Sequence, residues 1–82
     1  MIYVVDVKLY YTLDLKDVSY IKKFRSVENV VSETKITYDK VIEIALAEAF
    51  KDLKDIYKID EECVKYSKAS IVGVIENEYF KD

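Results

Sequence analysis

IYVVDVKLYYTL, residues 2–13, decides the fold. Tyr3, Val5, Val7, Leu9, Tyr11 and Leu13 fall on one side at period two, with Ile2, Val4, Asp6, Lys8, Tyr10 and Thr12 on the other. Alternation of this kind, built from β-branched and aromatic side chains, specifies a strand. Asp14-Leu15-Lys16-Asp17 then supplies a turn or short loop.

Residues 18–34 admit two readings. At period two, Val18, Tyr20 and Phe24 share a face, which suits a second strand returning antiparallel to the first. At helical spacing, Tyr20, Phe24, Val27 and Val31 also align, with Asp17 as a cap. The Val, Ser, Tyr and Asn content is poor for a helix. The favoured reading is a strand over 18–26 followed by a short helical or irregular stretch near 27–33.

Residues 38–58 read as a helix. Thr37 is a suitable N-cap, and Asp39 in the first turn complements the helix dipole. Ile42, Ala45, Leu46, Ala49, Leu53, Ile56 and Tyr57 recur at three- and four-residue spacing as an apolar stripe, opposite Glu43, Lys51, Asp52, Lys54 and Asp55. Small Ala45 and Ala49 suit close packing on a sheet. Asp60-Glu61-Glu62 begins another helical turn or an acidic loop. A closing strand is expected from Ala69 to about Tyr79, centred on Ile71-Val72-Gly73-Val74-Ile75.

The fold class is therefore α+β. A three-stranded antiparallel sheet with one long helix on one face, ββαβ, is expected, with βααβ as the alternative. At 82 residues there is room for one domain spanning 1–82 and no second core. A hydrophobic fraction of 51% with 35% charged residues is globular in character rather than disordered. With no proline and Gly73 as the only glycine, connections are expected to use ordinary residues in type I turns and helix caps.

Several chemistries are excluded or disfavoured. The chain has no histidine, which removes Ser/His and Cys/His nucleophile systems and the commonest metal ligand. One glycine cannot build a phosphate-cradling loop. Cys63 alone cannot form an intramolecular disulfide or a thiolate-rich zinc site, and a small buried hydrophobe is its simpler reading. Asp60, Glu61 and Glu62, then Glu76 and Glu78, are the carboxylates available for acid–base work or a hard cation; solvated acids are the simpler reading. No metal, cofactor or enzymatic activity is expected. Neither a signal peptide nor a run of about 18 apolar residues is visible, so a cytoplasmic location without membrane attachment is expected.

Two sets of residues are candidates for binding. Lys22, Lys23, Phe24 and Arg25 form a basic cluster with an interleaved ring, a pattern that takes a phosphate or a stacked base. Lysines guarding a strand edge are the plainer interpretation. A net charge of −3 argues against general nucleic-acid binding. The other set is a packing problem: both the first strand's opening and the last strand's centre are apolar on two faces, whereas one helix covers one face. Ile2, Val4 and Tyr10, with one alternating set of the last strand, Val72 and Val74 or else Ile71 and Ile75, would then form an exposed interface.

Self-association as a homodimer is the expected consequence. The leading functional expectation is a non-enzymatic interaction protein that acts by occluding a protein partner. In size and composition it resembles small accessory proteins of phages, archaeal viruses and other mobile elements, including inhibitors of host defence; no motif carries that likeness. The alternatives are a small-ligand or nucleotide-sequestering binder and a nucleic-acid-associated protein.

Overall fold

The computed structural model describes residues 1–16 and 18–76. Strand β1 (Ile2–Leu15) pairs antiparallel with β2 (Val18–Val31), helix α1 (Tyr38–Tyr57) follows, and a 3₁₀ turn, Glu61–Cys63, leads into β3 (Val64–Ile75). The sheet order is β2-β1-β3, all antiparallel. This is the ββαβ architecture, and βααβ is set aside. The expected end of the closing strand near Tyr79 lies outside the described residues, as do Asp17 and Glu78.

β1 becomes the central strand because its alternation is the most complete. Tyr3, Val5, Val7 and Leu9 are buried on its inner side, joined by Phe24 and Val30 of β2. Val41, Ala45, Ala49 and Leu53 of α1 close over them. Two alanines at the contact let the helix lie close on the sheet, where larger side chains would hold it off. Thr37 caps the helix as its sequence position implies, its Oγ1 accepting from the Lys40 backbone N–H at 3.2 Å.

Four sequence expectations are corrected. β2 continues to Val31 and leaves no helical stretch at 27–33. Pairing with β1 along all 14 residues supplies the backbone hydrogen bonds that a short, weakly helical segment would lack. β3 starts at Val64, five residues before Ala69, because the ladder with β1 extends to Tyr11. In α1 the buried stripe is Val41, Ala45, Ala49 and Leu53, adding Val41 to the expected set, while Ile56 and Tyr57 are mostly exposed beyond it. The β1–β2 turn departs from type I geometry, Lys16 there having φ 56°, whereas Lys58, φ 61° at the end of α1, is an ordinary residue serving as a helix cap as expected. Both lysines meet a geometric demand that glycine would meet without strain.

The helix also runs short of the sheet. Twenty helical residues span about 30 Å, whereas fourteen strand residues span roughly 46 Å. α1 starts beside Tyr3, whose hydroxyl accepts from the Ile36 N–H at 3.2 Å, and ends beside Phe24, against which Tyr57 packs edge-on. β3 begins opposite Tyr11. The tip of the β1–β2 hairpin therefore projects as a two-stranded arm bearing exposed Val18, Tyr20 and Ile21.

Candidate functional site

Nothing among the described residues covers the sheet face opposite α1. Val31 is 70%, Val27 59% and Ile75 49% exposed there. Residues directly opposite in an antiparallel ladder share a face, so the register reads this open face as rows running across all three strands. Val31, Ile2 and Ile75 form the first, followed by Asn29, Val4 and Gly73, then Val27, Asp6 and Ser70. The next two rows are Arg25, Lys8 and Lys68, then Lys23, Tyr10 and Tyr66. One end of the face is thus apolar, its middle is cationic, and an aromatic pair follows.

The expected interface set is only partly on this face. Ile2, Val4 and Tyr10 lie on it. The β1–β3 register slips between Val4 and Val5, pairing Val4 with Gly73 and Val5 with Ile71. Val72 is the extra residue of that bulge, and the bulge reverses the alternation after it. Val74 consequently sits opposite Tyr3, on the helix side, and Ile75 takes its place on the open face. A bulge of this kind leaves no mark in an apolar run such as Ile71–Ile75.

Gly73, the chain's only glycine, lies beside Val4 at this point. Its φ is not positive, and a Cβ built on it would meet Val4 Cβ at 3.8 Å, an ordinary contact. Among the described residues, neither backbone conformation nor packing requires glycine there, although glycine weakens a strand. Its presence leaves a notch between Val4 and the bulge.

The KKFR cluster is divided by the strand. Phe24 is 8% exposed, in the core against Leu9 and Tyr57, and its ring faces are not available for stacking. Lys22 lies on the same side as Phe24, opposite Tyr11. Lys23 and Arg25 point to the open face, where Lys8, Lys68, Tyr10 and Tyr66 from the other strands join them. Tyr10 belongs to the expected interface set, whereas Lys8, Lys68 and Tyr66 are not among the expected site residues. The period-two parity of β1 already grouped Lys8 and Tyr10, but Lys68 and Tyr66 are placed only by the β3 register.

Arg25 Nε donates to Asp6 Oδ1 at 2.9 Å. That hydrogen bond, partly offset by desolvation and reinforced by the charges of Arg25, Lys8 and Lys23, holds the Asp6 carboxyl below its ordinary range. Among the described residues, Asp6 is the carboxylate beside Lys8, Lys23, Arg25 and Lys68 on this face, with Asp14 further along it on the hairpin arm, hydrogen-bonded to Ser19. α1, by contrast, carries Asp39, Glu43, Glu48, Asp52 and Asp55 against Lys40, Lys51 and Lys54. A depression of about 290 Å³ beside the cationic row is lined by Asp6, Lys8, Lys68, Ala69 and Ser70. Tyr10 and Tyr66 stand next to it with ring centroids 5.7 Å apart, tilted by 42°.

On the helix side, Glu28 faces α1. Burial is the main cause raising its carboxyl above the usual range; Asp52 and then Glu48 push the same way. Ser26, whose buried Oγ completes no hydrogen bond, opposes the rise. Asp60, Glu61 and Glu62 border an open hollow with Lys54. Among the described residues no group of three potential ligands is arranged to hold a metal ion, and no helix is long and apolar enough to cross a membrane. No family model, curated protein or solved structure matches the chain.

Proposed function

We propose that this protein is a non-enzymatic binding module whose open sheet face is the working surface, and that two copies associate through its apolar end. The Gly73 notch beside Val4 carries this reading. The row of Ile2, Val31 and Ile75 lies next to it, so a second backbone can approach where no packing among the described residues calls for glycine. Burying these side chains contributes on the order of several kcal/mol per subunit, at about 1.5–3 kcal/mol for each one fully buried. Full face-to-face stacking would instead bring two Arg25–Lys8–Lys68 rows into one interface, so contact is confined to the apolar end. Occlusion of a protein partner, as in accessory inhibitors of mobile elements, is a mode of action that needs no catalytic group.

Sedimentation velocity over a micromolar concentration series tests the association. The wild type is expected to form a dimer, and Val4→Glu to sediment as a monomer with an unchanged far-UV spectrum. A wild type that stays monomeric throughout contradicts the proposal.

A second reading is favoured by a separate observation. The depression beside Lys8, Lys68 and Ser70, next to a tyrosine pair, has the chemistry of a site for a small aromatic anion such as a nucleotide. Equilibrium dialysis against labelled nucleotides checks it, with retention by the wild type and loss in Lys8→Ala as the supporting result.

A further inference from the structure

We propose that the Arg25–Lys8–Lys68 row, with Lys23 and the Tyr10–Tyr66 pair beside it, binds single-stranded nucleic acid. The cations take backbone phosphates and the tyrosines stack on bases. This rests on the open face being the working surface, but not on the oligomeric state.

Three cations are aligned in one row across the sheet, Lys8 having Arg25 on one side and Lys68 on the other. Like charges directly opposite in a ladder destabilise it, and Asp6 is the carboxylate adjoining the row among the described residues. An anionic ligand removes that repulsion. The next row adds Lys23 and two rings, of which Tyr66 is mostly exposed. Cations tracking a backbone beside aromatic platforms are the recurring solution for single strands, whose unstacked bases present π-faces. An acidic peptide would use the cations and leave the rings idle.

The net charge of −3 does not oppose this, because it is a whole-chain sum, whereas the row and its neighbour place Lys8, Lys23, Arg25 and Lys68 together on one face and α1, behind the sheet, is net acidic. Physiological salt screens charges over about 8 Å, so the two sides act separately. The depression of about 290 Å³ is lined by Lys8, Lys68 and Ser70, together with Asp6 held by Arg25, and gives a phosphate a seat beside the row.

Fluorescence anisotropy with labelled oligothymidylate and oligouridylate of about fifteen nucleotides tests the proposal. Three phosphate contacts give a log–log salt slope near −2, or roughly twentyfold weaker binding between 50 and 200 mM salt. Lys68→Ala is expected to flatten the slope by about 0.7. Tyr66→Ala should weaken binding on the order of tenfold and leave the slope unchanged. Circular dichroism and melting of each variant establish that it is folded.

Two results overturn the proposal. One is no binding by the wild type at low salt. The other is displacement by polyglutamate as readily as by unlabelled oligonucleotide, with Tyr66→Ala neutral, which would mark a general anion surface. Sedimentation of the same samples without oligonucleotide reports on self-association separately, so failure here is distinguishable from failure of the dimer.

Discussion

Lys8 and Lys68 stand directly opposite each other across the β1–β3 ladder, two ammonium groups in a position where opposite charges would stabilise the sheet. Lys68→Glu converts the pair and is expected to add about 0.2–1 kcal/mol. Thermal melting should show a rise of up to roughly 4–8 °C. Oligonucleotide binding by the same variant should fall. A variant that is both less stable and fully binding would show that the row serves the fold instead.

Gly73 offers a similar separation of stability from association. Gly73→Ala fills the notch beside Val4 at ordinary contact distance. Relief of backbone entropy is expected to stabilise the subunit by about 0.5–1 kcal/mol. The concentration dependence of the melting temperature, which a dimer must show, should weaken at the same time. Dilution series of both proteins by calorimetry check the two effects together.

The pH dependence centred on Glu28 has a definite sign. Its pKa is raised in the folded state by burial first, then by Asp52 and Glu48. The folded form therefore holds the proton more tightly, so the contribution to stability is greatest below the unfolded-state value, about 4.3. It is lost as pH rises through the raised folded value. Glu28→Gln is expected to melt higher than wild type at pH 7 and equally at pH 3.5–4. Asp6, held low by Arg25, works in the opposite direction, its contribution being lost as pH falls through its depressed value.

Lys58 ends α1 in the left-handed region, its N–H donating to the Leu53 and Lys54 carbonyls. Lys58→Gly keeps those bonds and removes the strain at φ 61°. An increase of about 0.5–1 kcal/mol in chemical denaturation is expected, the relief being partly offset by unfolded-state entropy.

Strand β1 and helix α1 were legible in the sequence because each has one dominant period and, for α1, the Thr37 cap. β2 was legible only in part. Val27, Glu28, Asn29 and Val30 alternate too weakly to announce a strand, and pairing with β1 decides their state. The candidate site was harder. Strand parity places Ile2, Val4, Lys8 and Tyr10 together, but no pattern within one strand reveals a bulge at Val72 or brings Lys68 alongside Lys8. Those depend on register, which the whole sheet sets. Phe24 shows the same limit from the other side: KKFR is contiguous in sequence, yet a pleated strand sends its ring and its neighbouring cations to opposite faces.

Solvent paramagnetic relaxation of methyl groups, with a soluble gadolinium chelate at about millimolar protein, tests the buried apolar end most directly. Ile21 and Ile56, 76% and 65% exposed, serve as freely accessible references. Val31, 70% exposed in a single subunit, and Ile75, 49% exposed, should both relax far more slowly than their exposure relative to those two implies. Equal relaxation at all four positions would mean that nothing covers the Ile2 end of the sheet, and the self-associating module would be contradicted.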